Sequence, residues 1–187
     1  MKHNYSAQYE NVLLRPLEEG DIENLRMWRN NAHQTRFLRQ IGHITPEMQK
    51  QWYEKYLTNE KELTFAIVET RDLNRMIGSV ALYDLNGNTA EVGKIQIGDP
   101  EAGGRGIGRI SLVLAMWIGF KKLGLEKIIG VVHQENISAH KNDMRVGFKI
   151  VGTRPALIGG FEDELEIDEV RLSEVNAYTS EIELDLC

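Results

Sequence analysis

Ile22, Leu25 and Trp28 fall at helical spacing behind Asp21, a residue suited to capping a helix, and predict a first helix ending near Asn30-Asn31. Before it, Val12-Leu13-Leu14 ahead of Arg15-Pro16 reads as a short strand. A second helix opens at Thr45-Pro46-Glu47, with a capping hydroxyl and a proline in its first turn, and repeats Met48, Trp52 and Tyr56 every four residues. The spacing changes at Thr64. Phe65-Ala66-Ile67-Val68 is rich in strand formers, Asp72-Leu73-Asn74 reads as a turn into residues 76–83, and Asn86-Gly87 is a strong hairpin signal. Residues 90–98 follow, where Val92, Ile95 and Ile97 suggest a strand with a kink or bulge. Ile110, Val113, Leu114, Trp117 and Phe120 then share one helical face, stopped at Gly124. Residues 127–133 read as a strand, 136–146 as a helix, 148–152 as a strand, and 167–173 as a final strand after a Gly159-Gly160 link. The predicted order is β-α-α-β-β-β-α-β-α-β-β, an α/β single domain. Trp28, Trp52 and Trp117 sit in the apolar stripes and are expected in the core.

Composition narrows the function classes. The chain has 187 residues, 42% hydrophobic and 27% charged, which suits one globular domain over residues 1–187, its core at about 10–173 and an acidic tail beyond. A single cysteine, Cys187, excludes an internal disulfide framework, and no Cys/His group has zinc spacing, so no metal is expected. The formal net charge of −6 with no Lys/Arg block argues against nucleic-acid binding and suits a cationic partner. The N-terminus has no signal-peptide stretch, and the most apolar segment, 107–120, is broken by Gly108, Arg109, Ser111 and Gly119. No membrane span is therefore expected, and a cytoplasmic protein is the default reading.

The chemistry-bearing motif is Gly103-Gly104-Arg105-Gly106-Ile107-Gly108, placed between a strand and a helix. Helix N-termini attract anions because their first N–H groups are unpaired and the dipole is positive there. Glycine lets an anion approach those donors without a Cβ in the way. The spacing is neither the dinucleotide G-x-G-x-x-G nor a P-loop ending in Gly-Lys-Ser/Thr. The antiparallel strands before it are also wrong for a dinucleotide-binding βαβ unit.

Glu101-Ala102-Gly103-Gly104-Arg105-Gly106-Ile107-Gly108 resembles the acetyl-CoA pyrophosphate loop of the GNAT N-acetyltransferase superfamily. Ala90-Glu91-Val92-Gly93 and Ile97-Gly98 resemble that family's splayed fourth strand, and Asn136-Ile137-Ser138-Ala139 with Gly147-Phe148 its Asn-x-x-Ala helix start and closing Gly-Phe. Leu14-Arg15-Pro16-Leu17, Asp21 and Trp28-Arg29-Asn30 are similar to the branch of ribosomal-protein N-terminal, spermidine and nucleotide-amino-sugar acetyltransferases. The resemblance spans roughly residues 10–173. It implies a mostly antiparallel central sheet splayed between the fourth and fifth predicted strands, helices on both faces, and family dimers formed through exposed strand edges.

The resemblance also implies acetyl-CoA as cosubstrate and direct acetyl transfer to a peptide or small-molecule amine. Gly103, Gly104, Arg105, Gly106, Ile107, Gly108 and Arg109 would then hold the pyrophosphate, chiefly by backbone groups. Ile95 and Ile97 would pair their backbone with the pantetheine arm, and Asn136 would reach that arm while also capping its helix. Glu91 is the preferred base, against a plain edge-strand charge, with His133 as a second choice. The acceptor is expected near Arg29, Asn30 and Tyr83, with Phe37, Leu38 and Arg39 on the following loop; Arg29 could instead cap helix carbonyls, and Tyr83 could be sheet packing. Arg29, Arg36 and Arg39 would suit a phosphorylated acceptor, whereas the acidic residues 162–164, Glu183 and Asp185 would suit a polyamine or basic peptide. Asp143 departs from the family, which usually has a Tyr there to protonate the leaving thiolate. An Asp is ionised at neutral pH unless its site raises its pKa, so the acid falls to His140 or Ser138. That departure also motivates an alternative, a CoA-binding sensor without turnover.

Overall fold

In this computed structural model, residues 1–32, 35–37 and 42–186 are described. The elements are β1 (Tyr5–Tyr9), β2 (Val12–Pro16), α1 (Ile22–Arg29), α2 (Pro46–Thr58), β3 (Glu62–Glu69), β4 (Arg75–Asn86), β5 (Thr89–Ile97), α3 (Ile107–Leu123), β6 (Lys127–His133), α4 (Ile137–Val146), β7 (Lys149–Pro155), β8 (Phe161–Ile167), α5 (Glu169–Val175) and β9 (Glu183–Leu186). They form one sheet in the order β7-β8-β6-β5-β4-β3-β2-β1-β9. The β5–β6 pair is parallel and its neighbours are antiparallel, as a helical crossover between two strands requires.

The alternation of β3 explains why it reads as a continuous apolar run. Leu63, Phe65 and Ile67 pack in the main core with α3, while Ala66 joins Leu17, Tyr56 and Met76 under α1 and α2. Helix α3 is buried from Ser111 through Phe120, because the sheet covers one side and α4 and α5 the other. The predicted helix stop at Gly124 is a left-handed C-cap with φ 67°. Arg15 and Asp21 form a two-pronged ion pair at 2.6 and 2.8 Å that ties β2 to the entrance of α1. Among the described residues no helix is long and apolar enough to cross a membrane.

The C-terminal third departs from the expected pattern. Residues 167–173 are not a strand: β8 ends at Ile167, and Asp168 caps α5 by accepting from the Arg171 N–H at 2.8 Å. Val170 and Leu172 mimic strand alternation, yet Val170 is 67% exposed and Leu172 fully buried. The missing strand lies earlier, in the acidic run. Asp163, Leu165 and Ile167 face inward while the intervening glutamates face out, and β8 pairs with both β6 and β7. Strands β1 and β9 were not anticipated; they extend the opposite edge of the sheet.

Candidate active site

Strand β5 pairs with β6 only through Thr89, Ala90 and Glu91, then leaves it and continues along β4 to Ile97. Opposite Ser79–Ala81 it carries one extra residue between Gly93 and Gln96, and Lys94 takes φ 50° there. This is the predicted bulge. Beyond Glu91 the β6-facing backbone edge of β5 has no strand partner among the described residues. Two cavities open around it. The first, about 380 Å³, lies between β5, β6 and α4 and is lined by Val92, Ile95, His133, Asn136 and Asp143. The second, about 550 Å³, lies under α1 and α2 and is lined by Arg29, Trp52, Glu62, Tyr83, Glu91 and Arg154. Gly93, Lys94 and Val131 line both.

The glycine loop stands at the far end of β5. Gly104 and Gly106 hold φ 76° and 75°, with no atom within 4 Å of a Cβ built on either. Gly106 caps α3 without a side chain, so the helix start faces open space. The N–H groups of Gly104, Arg105, Gly106, Ile107 and Gly108 find no acceptor among the described residues. By contrast, Gly103 N–H reaches the Pro100 carbonyl at 3.4 Å, and Arg109 N–H the Gly106 carbonyl at 3.1 Å. A Cβ on Gly108 would lie 3.7 Å from Ile97 and 4.0 Å from Ile95, so the loop abuts the end of β5. The Arg105 guanidinium pairs with Asp72 at 3.2 Å. Asp72 sits in the β3–β4 turn, which the buried Glu69 carboxylate organises by accepting from the N–H groups of Arg71, Asp72 and Leu73.

Glu91 is half-buried and accepts a hydrogen bond from the Tyr83 hydroxyl. Burial raises the Glu91 carboxyl above its ordinary value, and the Tyr83 bond opposes that rise. Burial and Glu91 in turn push the Tyr83 phenol up, so it stays a donor. Lys94 lies 4.4 Å from the centre of the Tyr83 ring and pairs with Glu62 at 2.8 Å. Arg154 pairs with Glu162 and Glu164.

The histidines are placed differently. His133 lines the first cavity, but its Nδ1 accepts from the Glu135 N–H at 3.2 Å, so Nε2 bears the proton and meets the Gly159 carbonyl at 2.7 Å. His140 lies outside both linings and contacts Asp163 at 3.2 Å. Gln134 and Thr153 bind the same Asp163 carboxylate, which these bonds hold below its usual range. Asn136 caps α4, accepting from Ala139 N–H at 3.3 Å, and also lines the first cavity.

On the acceptor side, Arg29 lines the second cavity, where burial lowers its pKa. Asn30 instead holds both backbone groups of Ile44, at 2.8 and 2.9 Å, and closes the loop after α1. Arg36 lines the first cavity rather than the second and pairs with Glu135 at 3.2 Å. Leu38, Arg39 and Cys187 lie outside the described residues. Trp117 is in the core as expected; Trp28 is only partly buried, packed against the smaller cluster under α1 and α2, and its ring lies so close to Gly98 that any Cβ there would overlap it. Trp52 is not core. It is 37% exposed, stacks on Tyr56 at 5.6 Å and lines the second cavity. Its four-residue spacing from Tyr56 cannot tell a wall of a cleft from a core stripe. Lys94 and Arg154 carried no sequence signal beyond the bulge itself.

Residues 11–149 match the family model for the acetyltransferase (GNAT) domain. The chain belongs to that family. This GNAT acetyltransferase is 29% identical over 141 residues to the spermidine N(1)-acetyltransferase of Escherichia coli (strain K12), covering 75% of this chain and 74% of that protein. Its fold is similar to that of a spermidine N-acetyltransferase from Vibrio cholerae solved with CoA and spermine, at TM-score 0.77 and 24% identity, covering 87% of this chain and 98% of the other. A domain from Methanocaldococcus jannaschii DSM 2661 aligns at TM-score 0.70 and 27% identity, covering 84% and 97%. Membership makes the chain an N-acetyltransferase with acetyl-CoA as cosubstrate. Unclaimed N–H donors at a helix start and a strand edge without a partner fit a phosphate-bearing, amide-containing molecule of that kind.

Proposed function

We propose that this acetyltransferase transfers an acetyl group to a primary amine by direct attack within a ternary complex, with the cosubstrate in the first cavity and the amine in the second. The observation that carries this reading is the meeting of the two cavities at Gly93 and Lys94, where β5 parts from β6. When bound, acetyl-CoA supplies an activated acyl thioester. Backbone N–H groups from Gly104 to Gly108, with Arg105 and Arg109 adding charge and Gly103 shaping the turn, hold the pyrophosphate. The free edge of β5 at Ile95 and Ile97 pairs with the amides of the pantetheine arm, and Asn136 meets that arm from α4. An N–H on this edge, near Ile97, can also steady charge that develops on the thioester oxygen.

Glu91 takes the proton that the amine must lose before its lone pair can attack. Lys94 and Arg154 already have carboxylate partners, whereas Glu91 is hydrogen-bonded by a neutral phenol, so its charge remains for the incoming ammonium. Tyr83 orients Glu91, and Trp52 and Leu25 offer apolar wall to the carbon chain of the acceptor. A polyamine, an α-amino terminus or an amino sugar all present such an amine; the named Escherichia coli relative favours testing polyamines first.

Thermal unfolding with saturating acetyl-CoA, beside NAD and ATP, tests the cosubstrate half. A panel of amines scored by CoA release tests the other half. Stabilisation by acetyl-CoA with turnover of an amine supports the proposal. Stabilisation without turnover across the panel favours the CoA-binding sensor, and no stabilisation at millimolar ligand overturns both.

A further inference from the structure

Acetyl transfer from an ammonium moves three protons, two off nitrogen and one onto sulfur. The nitrogen sheds one toward Glu91, on the acceptor side of β5. The sulfur, on the other side, must gain one, and the first cavity holds few groups able to give it. Arg36 is a guanidinium paired with Glu135, and a guanidinium does not give up a proton at neutral pH. Lys94 directs its ammonium to Glu62 and the face of Tyr83. His133 has both ring nitrogens engaged by backbone groups. Asp143 differs from all of these. It projects from α4 one turn beyond Ala139 and two beyond Asn136, on the face that walls the cavity. Burial and the charge of His140 act on its carboxyl, and no hydrogen bond does among the described residues.

We propose that Asp143 is the acid that protonates the departing thiolate. The inference rests on the acetyl-transfer reading above. The amine lone pair forms the C–N bond, and the C–S bond breaks with its electron pair going to sulfur. Glu91 accepts the proton that the ammonium loses before attack; once the C–N bond has formed, the nitrogen gives up its second proton to water; Asp143 donates its own to sulfur and becomes a carboxylate. Exchange with solvent returns both groups to their starting states, and nothing is oxidised or reduced. Burial supports the role by lifting the Asp143 carboxyl from 3.8 to about 7, so that much of it is protonated at neutral pH. Charge on His140, one turn earlier on α4, pulls in the opposite direction. Lys94 from β5, His133 from β6 and Arg36 are the other charged or titratable groups facing the same cavity, while Leu112 from α3 and Leu165 from β8 keep its wall apolar.

Infrared difference spectra of wild type against Asp143→Asn, taken without ligand from pD 4 to 9, read the carboxyl directly. The expected result is a protonated-carboxyl band that disappears with a midpoint near 7 and is missing in the variant. In turnover, kcat of the wild type declines on the alkaline side as Asp143 loses its proton. Asp143→Asn lowers kcat roughly 100-fold and removes that decline, while stabilisation by acetyl-CoA is unchanged. Asp143→Glu, which keeps the acid, restores the alkaline decline. A carboxylate band throughout the range, or an Asn variant with wild-type kcat and pH profile, overturns the proposal while leaving the transferase reading intact. A wild type without turnover removes both.

Discussion

Helix α3 has a left-handed glycine at each end, Gly106 with φ 75° and Gly124 with φ 67°, and a Cβ on either would meet nothing within 4 Å. Gly106→Ala and Gly124→Ala therefore impose the same kind of backbone strain on the same helix without a steric clash. An L-residue in this region costs about 1–2 kcal/mol, which for a chain of this size lowers Tm by roughly 2–8 °C. The two variants differ in where the new methyl group stands. Gly106 lies among the residues whose unclaimed N–H groups we assign to the pyrophosphate, whereas Gly124 lies at the opposite end of the helix. Losing one charge-assisted hydrogen bond, worth ~1.5–3 kcal/mol, weakens acetyl-CoA binding tenfold or more. At a concentration of ~100 times the wild-type Kd, the ligand stabilises by ~2.7 kcal/mol, and a tenfold weaker site retains about half of that. Differential scanning calorimetry with and without acetyl-CoA separates the two effects. Both variants lose Tm without ligand, and Gly106→Ala alone shows a reduced ligand shift. Equal ligand shifts in the two variants would refute the placement of the pyrophosphate at the start of α3.

Four further outcomes test the acceptor side and the scaffold. Glu91→Gln should lower kcat/KM by on the order of 100-fold; Tyr83→Phe, by removing a donor that favours the charged carboxylate, should move the acidic limb of the pH profile to higher pH. Trp52→Ala should raise the acceptor KM while costing less than the ~3–5 kcal/mol of a core tryptophan, as denaturant unfolding would reveal, because the side chain is already 37% exposed. Glu69 is held at about 2, against 4.5, chiefly by the Leu73 N–H. Its contribution to stability is complete above pH 4.5 and disappears as pH falls toward 2. A Tm series from pH 6 to 2 should show that decline, and Glu69→Gln should flatten it.

The features legible in the sequence were those with a local physical signature. Asn86-Gly87 marked the β4–β5 hairpin, Gly124 the end of α3, and the slipped spacing of Val92, Ile95 and Ile97 the bulge that separates the cavities. Strand β8 was hidden because its outward positions are glutamates; Arg154 and Lys127 neutralise three of them across the sheet, which local pattern cannot reveal. The candidate site was less legible than the fold for a similar reason. Glycine-loop geometry follows from neighbours in sequence. The environment of Asp143, by contrast, is built by β5, β6 and α3, and an isolated Asp is read as ionised when nothing local reports its burial. Asn30 and His140 have side chains suited to binding and catalysis, but the groups that occupy them, the Ile44 backbone and Asp163, come from remote elements.

The parting of β5 from β6 also divides the sheet mechanically. Strands β9 to β5 form one plate and β6, β8 and β7 another, joined in the sheet, among the described residues, only where Thr89, Ala90 and Glu91 meet β6. A sheet normally resists shear through its ladder of hydrogen bonds; here the ladder is short, and α3, which packs against both β5 and β6, bridges the seam. A cosubstrate lodged in that seam acts as a removable rung. Hydrogen exchange along β5 and β6 should therefore slow on loading and recover on product release, so that turnover alternately stiffens and loosens the joint between the plates.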